Sequence, residues 1–251
     1  MDSEDQHELN RLFFVLSSES RLGILRELLK HSLRVQKIAE MVDLTETEAC
    51  RQVQKLGEAQ LVQKQSNGEY VLTTYSRLIL DLSLQMEFVM KNKAFVIKHD
   101  MFLIPDELRA RLGALAEGQL ITDPIETINK LAEMVKNAHR QIDMVTLGLE
   151  NIIELTQQRC REGIKVRWLI EENFIPKATS LLRSWEQLPE MRSAPSFIGH
   201  YGVTETGAIL ILFQKDGEIS FSSFFGQSPA LLKWTQDLFT YEWQKAKPWQ
   251  P

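Results

Sequence analysis

With 251 residues, 43% of them hydrophobic and 25% charged, the chain is long enough for two packed domains and too apolar for a disordered one. No apolar run approaches the roughly 20 residues of a membrane span, and the opening MDSEDQHELN is acidic and polar, unlike a secretory signal. Cys50 and Cys160 lie far apart with no CxxC or Cys/His spacing. That argues against a disulfide scaffold and a structural zinc site, and for a reducing cytoplasm, with no membrane, metal or cofactor expected. The net charge is −5, and residues Met1 to Tyr70 hold 9 Lys and Arg against 12 Asp and Glu. Any nucleic-acid binding must therefore rest on a few well-placed cations and be strongly salt-sensitive.

The first 75 residues read as a small helical module closed by a hairpin. Leu9, Leu12, Phe13 and Leu16 recur at helical spacing, and Ser17, Ser18 and Ser20 interrupt that helix and offer caps to the next. Residues 19 to 31 follow with Leu22, Ile24, Leu25, Leu28 and Leu29. A short helix from about Val35 to Val42 turns through Asp43-Leu44 into LTETEACRQVQKLGEAQLV. In that stretch Thr45 is an N-cap with Glu48 at capping-box spacing, and Ala49, Val53 and Leu56 form one apolar stripe. Thr47, Arg51, Gln52 and Lys55 are assigned to the opposite, polar face, as the residue types that read base edges or hold phosphates.

Alone, that helix is an ordinary amphipathic surface helix. Its neighbours give it meaning. Two short helices joined by so few residues form a helix-turn-helix. Next come Leu61-Val62, the turn Ser66-Asn67-Gly68 and the return Tyr70-Val71-Leu72-Thr73, a strong hairpin signal. A helix-turn-helix followed at once by a hairpin is a winged helix, whose tip, here Lys64 to Gly68 with Lys64, Asn67 and Gly68 as contacts, lies over the DNA backbone or minor groove.

SESRLGILRELLK, QKIAEMVDLTETEACRQVQKLGEAQLV and GEYVLTT resemble the winged-helix module of ArsR-type transcription regulators over about 65 residues. The resemblance implies DNA contacts from Thr45, Thr47, Arg51 and Gln52. Gln60 departs from the family's Gly before Leu-Val, and Cys50 stands where Ser is common. The cysteine pair of metal-sensing members is absent from Gln36 to Val42, and His7, His31, His99, His139 and His200 form no ligand spacing, so no metal is expected.

Tyr75 to Lys93 reads as one long helix, with Leu78, Leu82, Met86 and Val89 on a heptad-like seam and Ile79, Leu80, Leu84 and Phe88 on further faces. Such a helix packs under its own second domain or pairs with its twin; winged-helix dimers present two reading helices to successive half-sites, which favours the pair. Ile104-Pro105 ends this run, and Asp106 to Ala116 forms a short helix. The domain boundary is expected between about 95 and 120, giving a winged helix at 1–75, a connecting and dimerising segment at 76–118 and a sensing domain at 119–251.

From residue 119 helices and strands alternate. Helices are expected from Pro124 to His139, Asn151 to Arg161, 176 to 186, and Ser228 to about Lys245. Strands are expected at Ile142 to Leu147, Ile164 to Ile170, Pro195 to Ile198, Ala208 to Phe213 and Ile219 to Phe224, the last two closed by Asp216-Gly217. The whole is α+β, with the C-terminal part an α/β layer of helices on a mixed sheet. The run through IDMVT and REGIKVRWLI resembles half of a phospholipase-D-like fold. The whole chain resembles the archaeal methanogenesis regulatory protein family, which joins an ArsR-like head to a C-terminal sensing domain.

Phospholipase-D-like catalysis needs His-x-Lys, but His200 is followed by Tyr201 and Gly202, and no P-loop, Gly-x-Ser-x-Gly or Gly-x-Gly-x-x-Gly occurs. The expectation is a non-enzyme with no catalytic residues. Ligands favour the carboxyl ends of strands, which marks Glu171, Glu172, Asn173, His200 and Tyr201 as candidate effector contacts; the plainer reading is a solvated turn and packing. The sequence thus points to a cytoplasmic, dimeric, sequence-specific regulator that binds double-stranded DNA and responds to a small molecule or other signal. A winged-helix module that binds protein instead of DNA is the alternative.

Overall fold

The structure is a computed structural model that describes residues 3–145, 148–218 and 222–251, and it divides into two compact units, Met1–Ser83 and Leu84–Pro251.

In the first unit, α1 (Ser3–Leu16), α2 (Glu19–Lys30), α3 (Val35–Met41) and α4 (Glu46–Glu58) follow the expected order. The side chains of Ser18 and Thr45 accept from Arg21 N and Glu48 N, satisfying amide donors that have no partner within the first turns of α2 and α4. Ile24, Leu25 and Leu28 of α2 meet Ile38 and Ala39 of α3 and Ala49, Val53 and Leu56 of α4 in one core. The hairpin is β1 (Val62–Lys64) paired antiparallel with β2 (Tyr70–Leu72), with Lys64 opposite Tyr70. Gly68 takes φ +86° at its tip, the left-handed region that glycine enters without steric cost.

Leu33 adds a third member to the hairpin. Its amide donates to Tyr70 O at 3.2 Å, and Tyr70 N donates back to Leu33 O at 2.8 Å. The unit is a winged helix-turn-helix. Two of its non-glycine residues also sit at positive φ: Asp43 (φ 53°) in the turn between α3 and α4, and Gln60 (φ 58°) after α4.

α5 (Thr74–Lys91) begins where Thr73 Oγ1 accepts from Ser76 N at 3.1 Å. Leu80 belongs to the core of the first unit and Phe88 to that of the second, where its ring lies 5.3 Å from Phe224. The division at Ser83 therefore falls inside the helix, earlier than the 95–120 expected. The segment expected as a separate connector contributes Phe95, Met101, Ile104, Leu108, Leu112 and Leu115 to the second core.

After α6 (Lys93–Lys98), the helix expected from Asp106 to Ala116 is broken into α7 (Asp106–Arg109) and a 3-10 stretch, Leu112–Glu117. There Leu108 O accepts from Arg111 N at 2.9 Å, a bond of 3-10 type, and from the buried Trp234 Nε1 at 2.9 Å.

The remaining elements alternate: β3 (Gln119–Ile121), α8 (Pro124–Lys136), β4 (Gln141–Val145), α9 (Glu150–Arg161), β5 (Lys165–Glu171), α10 (Ile175–Leu182), β6 (Glu190–Ala194), β7 (Gly199–Thr204), β8 (Ala208–Leu212), β9 (Ser223–Gly226), α11 (Pro229–Lys245) and β10 (Lys247–Pro248). They build an eight-stranded mixed sheet ordered β10-β6-β5-β4-β7-β8-β9-β3. β4, β5 and β6 run parallel; the other pairings are antiparallel.

Val166, Trp168 and Ile170 of β5 face the cluster of α8, α9 and α10. Leu169 faces α11, whose Leu231, Trp234, Leu238 and Phe239 fill the other layer. Each face of the sheet is thereby covered by helices. Several strand expectations shift, and β10 is one strand the sequence reading lacks. The strand expected at 195–198 lies at 190–194, 199–204 is an additional strand, and β3 is also new. Residues 146–147 and 219–221 of the expected strands at 142–147 and 219–224 lie outside the described residues.

Candidate nucleic-acid interface

α4 presents its exposed side through Thr47, Arg51 and Lys55, while Ala49, Val53 and Leu56 are buried. Thr45, also exposed, spends its hydroxyl oxygen on the Glu48 amide at 3.2 Å as the helix cap. Arg51 is bound to its own helix. Its Nε donates to Glu48 Oε2 at 3.0 Å and its Nη2 to Oε1 at 2.8 Å. Hydrogen bonds from Arg51 and then Gln52 hold the Glu48 carboxyl below the ordinary carboxylate range, so it stays charged.

Gln52 does not project from the reading face. It is 5% exposed, its Oε1 accepts from Arg21 Nη1 at 3.1 Å, and its Nε2 donates to Glu48. A side chain buried and bonded at both ends is not free to meet a base, so its assignment as a DNA contact is corrected. Its position foretold this, because 49, 52, 53 and 56 follow the i, i+3, i+4, i+7 spacing of a single buried stripe. The polar residue type concealed it.

At the wing, Lys64 is exposed with Nζ 5.7 Å from the centre of the Tyr70 ring. Asn67 is exposed and shapes the turn: its Oδ1 accepts from Glu69 N at 3.0 Å and its Nδ2 donates to Glu69 Oε2 at 3.0 Å. A Cβ built on Gly68 would meet nothing within 4 Å, so the tip is open. Sequence reasoning missed Arg34, which stands before α3 and donates from Nη2 to Asn67 O at 3.2 Å. It adds a cation at the wing, where the Leu33–Tyr70 bridge and the bond from Ser32 to Glu69 hold its segment against the hairpin. Glu69 lies below the same turn, held down in pKa by Ser32, then Asn67, with Arg34's charge acting in the same direction.

The structure does not gather the five candidate effector residues into one mouth. Glu171 is half-buried at the end of β5, and Glu172 and Asn173 are exposed in a 3-10 turn. His200 and Tyr201, expected near a strand end, lie inside β7 at 8% and 2% exposure. They border a void of about 10 Å³, room for about one water. Tyr201 donates its hydroxyl to Glu242 of α11, and His200 packs edge-on against Phe213 at 5.1 Å.

A more open groove of about 760 Å³ runs past Phe102, Leu103, Asp106, Arg111, Asp237 and Tyr241, away from all five. Among the described residues no group of three or more His, Cys, Asp and Glu side chains converges as a metal site, and no helix is long and apolar enough to cross a membrane.

No protein-family model matches the sequence, and no curated protein matches it. Among solved structures the chain is similar to TrmBL2, described as an archaeal chromatin protein with a novel mode of DNA binding. That likeness has 11% identity and a TM-score of 0.44, covering 96% of this chain and 99% of that one. The phospholipase D family member Nuc from Salmonella typhimurium is similar over 48% of this chain and 89% of its own (13% identity, TM-score 0.39). NucT from Helicobacter pylori is similar over 53% of this chain and 98% of its own (9% identity, TM-score 0.41). At such identities and scores these likenesses are too distant to transfer an activity.

Proposed function

We propose that this protein is a transcription regulator that binds double-stranded DNA through α4 and the wing. One observation carries the reading: a capped, exposed α4 face bearing Thr47, Arg51 and Lys55 occurs in the same unit as a hairpin bearing Lys64 and Asn67, with Arg34 fixed to that hairpin. A helix of this kind fits the major groove, and the wing cations suit phosphates. The sequence motifs support an ArsR-like head and a methanogenesis-regulator type of architecture.

The active species is a homodimer. Leu78 and Leu82 of α5 are 59% and 65% exposed, and Met86, Val89 and Met90 along the same helix are exposed too, more apolar surface than a monomer ordinarily leaves in water. The second unit takes no catalytic part and passes a signal, such as a small effector, to the DNA-binding unit as a shift between two dimer geometries. The protein works in the cytoplasm.

Fluorescence anisotropy with a labelled duplex from the region upstream of its own gene tests this reading. Binding should be tight at low salt and weaken steeply as salt rises. A second reading, a winged-helix module that docks on protein, is favoured by the excess of acids in Met1 to Tyr70. It predicts no retention on DNA even at low salt, and that result would overturn the regulator.

A further inference from the structure

Arg51 is the cation in the middle of the exposed α4 face, yet a carboxylate is fastened to it. Glu48, one turn earlier, accepts from Arg51 Nε and Nη2 and also from Gln52 Nε2. Gln52 is held from beneath by Arg21 Nη1. Arg21 is itself buried, with Nε donating to Val15 O at 2.7 Å and Nη2 to Phe14 O at 2.9 Å. A chain of hydrogen bonds thus runs from the end of α1 through α2 to the surface of α4. An ordinary exposed Glu–Arg pair on a helix rotates freely in water. This one has its carboxylate held by the buried Gln52 amide, which the Arg21 guanidinium holds in turn.

The arrangement is ill-suited to a phosphate clamp, because a carboxylate beside the cation repels the phosphate it should hold. It matches a base pair instead. Guanine offers two acceptors, O6 and N7, in the major groove, and cytosine offers the N4 donor. Arg51 spends two of its five N–H donors on Glu48 and keeps three; Glu48, with three bonds accepted, keeps about one of its four lone-pair sites, on Oε2.

Resting on the DNA-binding reading, we propose that Glu48 and Arg51 together form the specificity-determining element and select one C·G base pair. Arg51 takes guanine, Glu48 takes cytosine N4, and Gln52 and Arg21 are positioning residues that set the carboxylate.

The test selects binding sites from a pool of randomised duplexes with the full-length protein, then measures Kd on the selected site and on copies with each C·G pair changed to T·A. The wild type should lose about tenfold or more at one such pair. Glu48→Ala, at a half-buried position on α4, should lose the preference at that pair and keep the order of preference at the other positions of the site. Arg51→Ala should lose the same preference, and the double variant should lose little beyond either single one. Gln52→Leu, confirmed as folded by its melting curve, should blur the same position, which a purely structural residue would not do.

Undiminished discrimination by Glu48→Ala at every position overturns the proposal. So does an Arg51→Ala variant that weakens all sequences alike with a salt slope lower by about one, the mark of a phosphate contact. If the wild type itself binds no duplex at low salt, the DNA-binding reading falls and this inference with it, a result distinct from specific binding that ignores Glu48.

Discussion

The phenol of Tyr201 on β7 and the carboxyl of Glu242 on α11 meet inside the second unit, the hydroxyl donating to Oε2 while Ile198 N donates to Oε1 at 3.2 Å. Burial pushes Glu242 up to about 7, with the charge of Glu171 acting the same way. The bonds from Tyr201 and Ile198 and the charge of Lys245 oppose the rise. The folded protein therefore holds this proton more tightly than the unfolded chain, whose ordinary value is 4.5. The stabilisation is complete below that value and lost as pH rises through the folded one. Between these limits the group should cost about 3 kcal/mol of stability. Urea unfolding at a series of pH values should show this decline in the wild type and a flatter curve in Glu242→Gln. Parallel curves for the two proteins would disprove the assignment.

Gln60 occupies φ 58°, a left-handed conformation that costs a side-chain-bearing residue roughly 1–2 kcal/mol. Glycine enters it freely but loses more entropy on folding. Gln60→Gly should therefore raise stability by about 0.5–1 kcal/mol, read as a higher denaturant midpoint with an unchanged slope.

Leu82 is the most exposed leucine of α5. Leu82→Lys should shift the protein from dimer to monomer in sedimentation velocity while leaving its circular dichroism unchanged, and should weaken binding to a two-half-site duplex far more than to a single half-site. A wild type that sediments as a monomer at every concentration would dispose of the dimer.

Lys64, exposed on the wing, should serve phosphates rather than bases. Lys64→Ala should weaken binding to all duplexes alike and lower the salt slope by about one. A sequence-selective loss would move Lys64 into the reading set.

Gly199 opens β7 where the strand runs against β8. A Cβ there would stand 2.1 Å from Ile211 O, a backbone atom that cannot step aside without breaking the pairing. Gly199→Ala should cost about 3 kcal/mol or more, visible as a lower melting temperature or as insoluble protein.

The winged unit was largely legible because its signals are local. Thr45 caps the helix it announces, Asn67-Gly68 turns the hairpin it predicts, and Pro124 opens α8 as its position suggests. What escaped depends on distant partners. The stripe spacing turns Gln52 inward while its polar type points outward, and the partner that decides between them, Arg21, lies 31 positions away. Gly199 and Gly202 interrupt the strand signal of Tyr201, Val203 and Thr204, so His200 and Tyr201 read as lying near a strand end; 199–204 is a central strand through pairing with β4 and β8. β3 is three residues long and exists through its pairing with β9. No window of sequence contains such a partner.

The two outer strands of the large sheet are its shortest. β10 is Lys247–Pro248, two exposed residues of which the second has no N–H to offer, and β3 is Gln119–Ile121. Short rims with a lysine and a proline are poor templates for an added strand. Extension of this large sheet from one molecule to the next is therefore disfavoured at both of its edges.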